Sequence, residues 1–299
     1  MSREVRWERM FPDQLEAAFA EAPLLYLTYG LCEPHGPHNA LGLDALKAHA
    51  LACAAARAHG GIVAPPDYWH IHELGQYAVW LADKVGDVPR GWMSALPPWQ
   101  HFKNVLYQIR TADNLGFHGA ILLTGHYGAN WNDLKTLVDL VQPHVGVRLF
   151  ALPDFEANEG GFFGTGTDDR DHAGKVETSQ LLALEPGLVD LSRLPPPGDR
   201  GRNFALGQDW ELSNRRVGER MVAGQVAWLG RKGDALLADY EREKPAVRLR
   251  TFEDVEVLWD RVVAPAIGSF LTMQPTADSV PPDSVWHANW PIPPRTGRG

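Results

Sequence analysis

Between residues 29 and 38 the chain reads YGLCEPHGPH, which sets Glu33, His35 and His38 close together. The stretch holds too much Pro and Gly for a helix, so these groups stand on a loop. Glu33 and His35 are two positions apart, and in extended backbone alternate side chains point the same way. A carboxylate and an imidazole so placed are donors for a cation. Similar groups recur along the chain: Asp44 follows the loop, and His126 lies in TGHYGAN, where Gly125 and Gly128 permit close backbone approach. Asp67, His70, His72 and Glu73 form one further group, and Asp154, Glu156, Asp168, Asp169, Asp171, His172 and Glu177 another. Mixed imidazole and carboxylate donors suit Zn, Mn or Fe(II) better than Ca or Mg. Each residue alone has a local explanation. Glu33 could cap a turn, His35 bond a loop carbonyl, Asp44 cap a helix, and Glu177 favour a helix dipole. The joint pattern carries the metal reading. His38 is left to orient the loop or line the pocket, and Cys32 points away from its two neighbours.

The elements that must position these groups are legible as apolar runs bounded by Gly or Pro: residues 24–30, 61–66, 119–125 and 147–153. Between them lie segments of helical spacing, at 45–60, 100–116, 131–142, 177–185 and 253–270. Strands alternating with helices predict an α/β fold, a mostly parallel sheet with helices on both faces. Ligands then sit beyond the carboxyl ends of the strands, which is where the donor groups fall. His49, His59, His101, His118 and His144 fall on helices or their ends and read as solvated or satisfied in the core.

The 299 residues with 44% hydrophobic content are ample for a core. The net charge of −9, with no Lys/Arg-rich run, argues against nucleic acid as a partner. No apolar run spans a membrane and no apolar signal core opens the chain, and Cys32 and Cys53 cannot make a disulfide framework; the expectation is a cytoplasmic protein. Residues 1–273 read as one domain. Residues 274–299 read as a Pro-rich tail whose Trp286 and Trp290 suggest docking on this subunit or another, a disordered tail being the competing reading. The polar stretch 154–175 reads as a long loop, functional or mobile, and 187–203 as a surface connection. Tyr68, Trp69, His70, His72, Trp92 and Trp99 are expected at the pocket mouth, with His70, His72 and Trp92 as candidate substrate contacts. Filling of core or of a subunit interface is the competing reading for these aromatics.

Taken together, YGLCEPHGPHNALGLDALKAHA, TGHYGAN and HAGKVETSQLLALEPGLV resemble, in order, three elements of the creatininase (creatinine amidohydrolase) family. The resemblance spans residues 24–190. It implies a three-layer α/β/α sandwich, assembled as a homo-oligomer and often a hexamer. It also implies a centre of two divalent ions (Zn, Mn or Fe) that hydrolyses small amides, cyclic amides or formamides. Glu33, His35, Asp44 and His126 match family metal ligands, Asp44 being the bridging one. Glu177 matches the Glu of the third element, and His172 a histidine near the reacting amide. Gly128 stands where creatininase itself has a carboxylate, so Glu177 takes the last ligand position; the backbone of Gly128 or Ala129 is placed to meet the oxyanion. Leu31, Pro34, Asn39-Ala40 and Leu43 depart from the family pattern. The departures surround the pocket more than the ligands, so creatinine itself is not the expected substrate. The expected activity is hydrolysis of a non-peptide C–N bond in a small molecule, with His172 and Glu177 as catalytic groups. The alternatives are a lactone or a peptide-derived biosynthetic precursor on the same metals, or a non-catalytic metal-binding assembly protein.

Overall fold

A computed structural model describes residues 3–72, 92–127, 129–157, 171–196, 204–207, 209–245 and 248–273. Four described strands form one parallel sheet: β1 (Leu24–Tyr29), β2 (Ile62–Val63), β3 (Gly119–Thr124) and β4 (Arg148–Pro153), in the order β2-β1-β3-β4. β1 lies centrally, its Leu24 opposite Gly119 and its Tyr29 opposite Thr124. The run 61–66 contributes less strand than its apolarity predicts. Pro65 and Pro66 have no N–H for a ladder, so pairing with β1 stops after Val63 and resumes as a single bridge between Tyr29 and Asp67.

The helices are α1 (Pro12–Glu21), α2 (Leu43–His59), α3 (Pro98–Leu115), α4 (Ala129–Val141), α5 (Lys175–Leu184) and α6 (Arg215–Glu243). α7 (Phe252–Leu258) then continues through a π-helical turn, Trp259–Val263, into α8 (Ala264–Ile267). α1 and the long α6 have no counterpart in the sequence reading. Strand side chains alternate between two cores, as period two requires. Leu25, Leu27, Ala120 and Leu122 pack with Phe102 and Ile109 of α3, Leu137 of α4 and Trp259. Leu24, Tyr26, Ile121 and Leu123 pack with Leu51 and Ala55 of α2 and Leu229 of α6. The result is a three-layer α/β/α sandwich. No described helix is long and apolar enough to cross a membrane. Residues 274–299, with Trp286 and Trp290, lie outside the described residues, as do Glu73, Asp168 and Asp169.

Two glycines set the sheet's carboxyl edge against α2. A Cβ on Gly30 would stand 2.3 Å from Ala45 N, and one on Gly125 would stand 2.1 Å from Asp44 O. The start of α2 therefore rests directly on the residues that follow β1 and β3. The loop after β1 turns at Gly36, whose φ of 71° favours glycine. It is held from outside by the connection after α5, through Ala40 N–H to Leu188 O, Asp190 N–H to His38 O, and a bridge between Asn39 and Val189. Residues 187–196, expected as mere surface, buttress the loop that carries Glu33 and His35.

Candidate metal centre

Helix α2 begins earlier than its spacing predicts. Gly42 is the N-cap and makes no side-chain cap bond, so Asp44 lies within the first turn. Its carboxylate is therefore not spent on capping and faces the carboxyl edge of the sheet. Asp44 Oδ1 is 3.0 Å from His35 Nε2, and Asp44 Oδ2 is 3.1 Å from His126 Nδ1. His126 Nδ1 also lies 2.9 Å from Glu33 Oε1, and His35 Nε2 lies 3.7 Å from Glu177 Oε2. Glu33, Asp44 and Glu177 are each 1% exposed, His35 0% and His126 3%. Donor atoms of Glu33, Asp44 and His126 fall within 4.8 Å of one another, and so do those of His35, Asp44 and Glu177. The two triads share Asp44. A third grouping, Glu33, His35 and His172, lies on the side where His172 keeps partial exposure.

The arrangement fits cations. Glu33 Oε1, His35 Nε2 and Asp44 Oδ1 are buried without a hydrogen bond, though each has a complementary atom within 4 Å. His35 Nε2 lies 3.0 Å from Asp44 Oδ1 and 3.9 Å from Glu33 Oε1, so the three atoms crowd around one point. Buried polar atoms left in this way are costly unless something else satisfies them. The remaining ring nitrogen of His35 is held: Nδ1 lies 3.0 Å from Glu33 O, a carbonyl that can only accept, so Nδ1 carries a proton and Nε2 is the ring nitrogen whose lone pair could be offered to a cation.

Electrostatics in the metal-free protein point the same way. Burial would push Glu33 up, but His126 and His172 hold its carboxyl well below the usual range. Burial would lower His35, but the charge of Asp44, with Glu177 and Glu33 behind it, outweighs this and raises it to about 9. A proton on His35 thus takes the place a cation would fill. This proton contributes stability fully below pH 6.5 and progressively less as pH rises through about 9. A cation must displace it, so log affinity for divalent metal is expected to rise by about one per pH unit up to about pH 9. Calorimetric titration of chelator-stripped protein at several pH values checks this; a pH-independent affinity would contradict it.

The other predicted residues divide. His172 stacks on His35 with centroids 4.3 Å apart, and its Nε2 lies 2.8 Å from Pro34 O. His72 Nε2 lies 3.1 Å from Glu33 Oε2, so it braces a donor carboxylate. His70 is buried between Tyr29, His101 and His126, with its Nδ1 3.1 Å from Ile71 O. Trp92 and Trp69 are more than half exposed, and Gly128 lies outside the described residues. His38 is brought by its Nε2 to within 3.0 Å of Thr178 Oγ1, tying the first sequence element to the third. Asp67 turns away, accepting from Asn104 and Gln108 of α3, and Glu156 pairs with Lys135. Sequence reasoning missed two groups behind Glu177, Lys47 and Tyr127. The available signal was a lysine one turn after Asp44 in an otherwise Ala-rich run.

The model of the family described as creatinine amidohydrolase (creatininase) matches residues 8–244. Comparison with curated proteins gives no match. Among solved structures, a crystal structure of creatinine amidohydrolase is 23% identical, covers 80% of this chain and 99% of its own, and superposes with a TM-score of 0.62. A manganese form of creatininase is 22% identical, with a TM-score of 0.60 over 79% of this chain and 99% of its own. A creatininase variant complexed with creatine is also 22% identical, with a TM-score of 0.58 over 79% of this chain and 98% of its own. At these identities the likeness is one of fold. The family match covers most of the chain and all three sequence elements, and the chain belongs to the creatininase family.

Proposed function

We propose that this protein is a metal-dependent hydrolase that cleaves a non-peptide C–N bond, in a linear or cyclic amide or a formamide, of a small molecule. The observation that carries the reading is the pair of buried donor triads sharing Asp44. Glu33, Asp44 and His126 would hold one divalent ion, and His35, Asp44 and Glu177 the other. Creatininase neighbours in manganese and Zn–Zn forms support Mn or Zn as the ions. Bound there, such ions would polarise a carbonyl oxygen and lower the pKa of a water to about 7.

The chain's own residues do the rest. The loop after β1 and the start of α2 hold the carboxylates in fixed positions, so no donor must reorganise when charge develops. Burial of the five donors keeps bulk water from them. His172 closes the partly exposed side, over His35, where a substrate can enter. Because Pro34 O can only accept, His172 Nε2 carries a proton, and the neutral ring offers Nδ1 as a base. It can take a proton from the attacking water and return one to the leaving nitrogen.

The test is removal and return of metal. Chelator-stripped protein should hydrolyse no member of a panel of cyclic amides, linear amides and formamides, and Zn2+ or Mn2+ should restore turnover of one class. Full amidase activity after stripping would overturn the reading, and turnover confined to lactones would replace its bond assignment.

A further inference from the structure

We propose that Lys47, buried behind the metal centre, is a positioning residue that turns Glu177 so that one chosen oxygen faces the His35–Asp44 side. The inference rests on the two-ion reading above. Lys47 is 0% exposed and lies one turn after Asp44 on α2, so bridging carboxylate and ammonium share a helix face. Its Nζ donates to Glu177 Oε1 at 2.7 Å, lies 3.7 Å from Asp154 Oδ2, and stands 3.8 Å from the centre of the Tyr127 ring. Tyr127 Oη donates to Asp154 Oδ1, and Gln225 Nε2 donates to Asp154 O at 3.0 Å. Gln180 Nε2 in turn donates to Gln225 Oε1 at 3.1 Å. On the other side, Glu177 Oε2 accepts the Ala173 N–H at 2.8 Å and lies 3.7 Å from His35 Nε2. The two oxygens of Glu177 thus have separate tasks. Oε1 is committed to the ammonium, and Oε2 is left toward the cation space.

A fully buried ion pair is a poor stabiliser in itself, because desolvating both charges cancels most of their attraction. What this pair supplies is orientation of a ligand. Groups of this kind behind a metal ligand are typically worth about 10–100-fold in metal affinity. An opposing effect is repulsion between the ammonium and the incoming cation. Asp154, whose Oδ2 lies 3.7 Å from Nζ, offsets it, because Lys47 and Asp154 together are close to neutral. Orientation therefore decides the sign, and loss of Lys47 weakens binding at the His35–Asp44–Glu177 triad alone.

The experiment is calorimetric titration of the chelator-stripped full chain with Zn2+, with stoichiometry from elemental analysis. Wild type should take two ions. Lys47→Met should lose about 10–100-fold at one site with the other unchanged. A purely structural lysine would lower the unfolding temperature without this selective loss. Lys47→Met/Asp154→Asn leaves the net charge as in wild type and should show the same loss; it also serves if Lys47→Met alone does not fold. Wild-type or tighter binding of both ions by Lys47→Met, or recovery of the second site in the double variant, would overturn the proposal. A wild-type chain that takes fewer than two ions would instead remove the two-ion reading beneath it.

Discussion

Asp44→Asn should leave the protein with at most one bound ion and cut kcat/KM by about 10³-fold or more, about 4 kcal/mol of transition-state stabilisation. The reason is that Asp44 serves both donor triads. Its Oδ1 faces His35 and its Oδ2 faces His126. Asparagine has the same shape, but its NH2 group has no lone pair to give a cation. One triad loses its shared donor outright, and the other keeps only a neutral carbonyl. The backbone cannot shift to compensate, because the start of α2 is seated on Gly30 and Gly125 with no room even for a Cβ. Lengthening the side chain fails for the same reason, so Asp44→Glu, which preserves charge, should also lose an ion. Metal analysis beside steady-state kinetics checks both variants. Two ions and ordinary turnover in Asp44→Asn would remove the bridging role.

The sequence pointed to this cluster of candidate donors because of where its residues lie. β1 and β3 are buried on both faces, so they appear as continuous apolar runs, and Glu33 and His126 follow shortly after their ends. What the sequence hid are relations between distant segments. Nothing in the Ala-rich run says that Lys47 will meet Glu177, since the two are brought together only when α2 and α5 pack on one side of the sheet. His101 reads as an unremarkable helical histidine, yet α3 carries it to a ring separation of 4.1 Å from His70. Helix α6 was illegible for a different reason. Gly218, Gly224, Gly230 and Gly233 lower its helix propensity. Three of them mark close approach: a Cβ at Gly218 would strike Ser179 O, one at Gly230 the His59 ring, and one at Gly233 the Leu24 side chain. Those contacts repay the lost propensity and cannot be seen in local sequence. The start of α1 has Pro12 at its first turn and Gln14 Oε1 accepting the Phe11 N–H, but Phe11 offers no capping side chain, so the helix signal in this short segment is weak.

His172→Gln should keep both ions and lose about 10²–10⁴-fold in kcat, with KM little changed. Among the described residues, the stack on His35 and the bond from Nε2 to Pro34 O hold the ring, and neither involves substrate. Glutamine can reproduce the second contact, because its amide N–H reaches the position of Nε2. It cannot reproduce the lone pair on Nδ1. Burial lowers the His172 pKa, and the charge of His35 lowers it further, against Glu33 and Glu177. Cations in the site would act in the same downward sense. The ring is therefore neutral at pH 7 and ready to accept a proton. The sign follows: wild-type kcat should fall as pH drops through a value below 6.5 and His172 becomes charged. In His172→Gln that acid limb should be absent, leaving a low rate that no longer follows this ionisation. The same variant separates proton transfer from ligation. The Glu33–His35–His172 grouping makes His172 geometrically able to bind an ion itself. If it did, the variant would lose metal together with activity. Retention of two ions with a collapsed kcat assigns His172 to the proton, and loss of an ion would move it among the ligands.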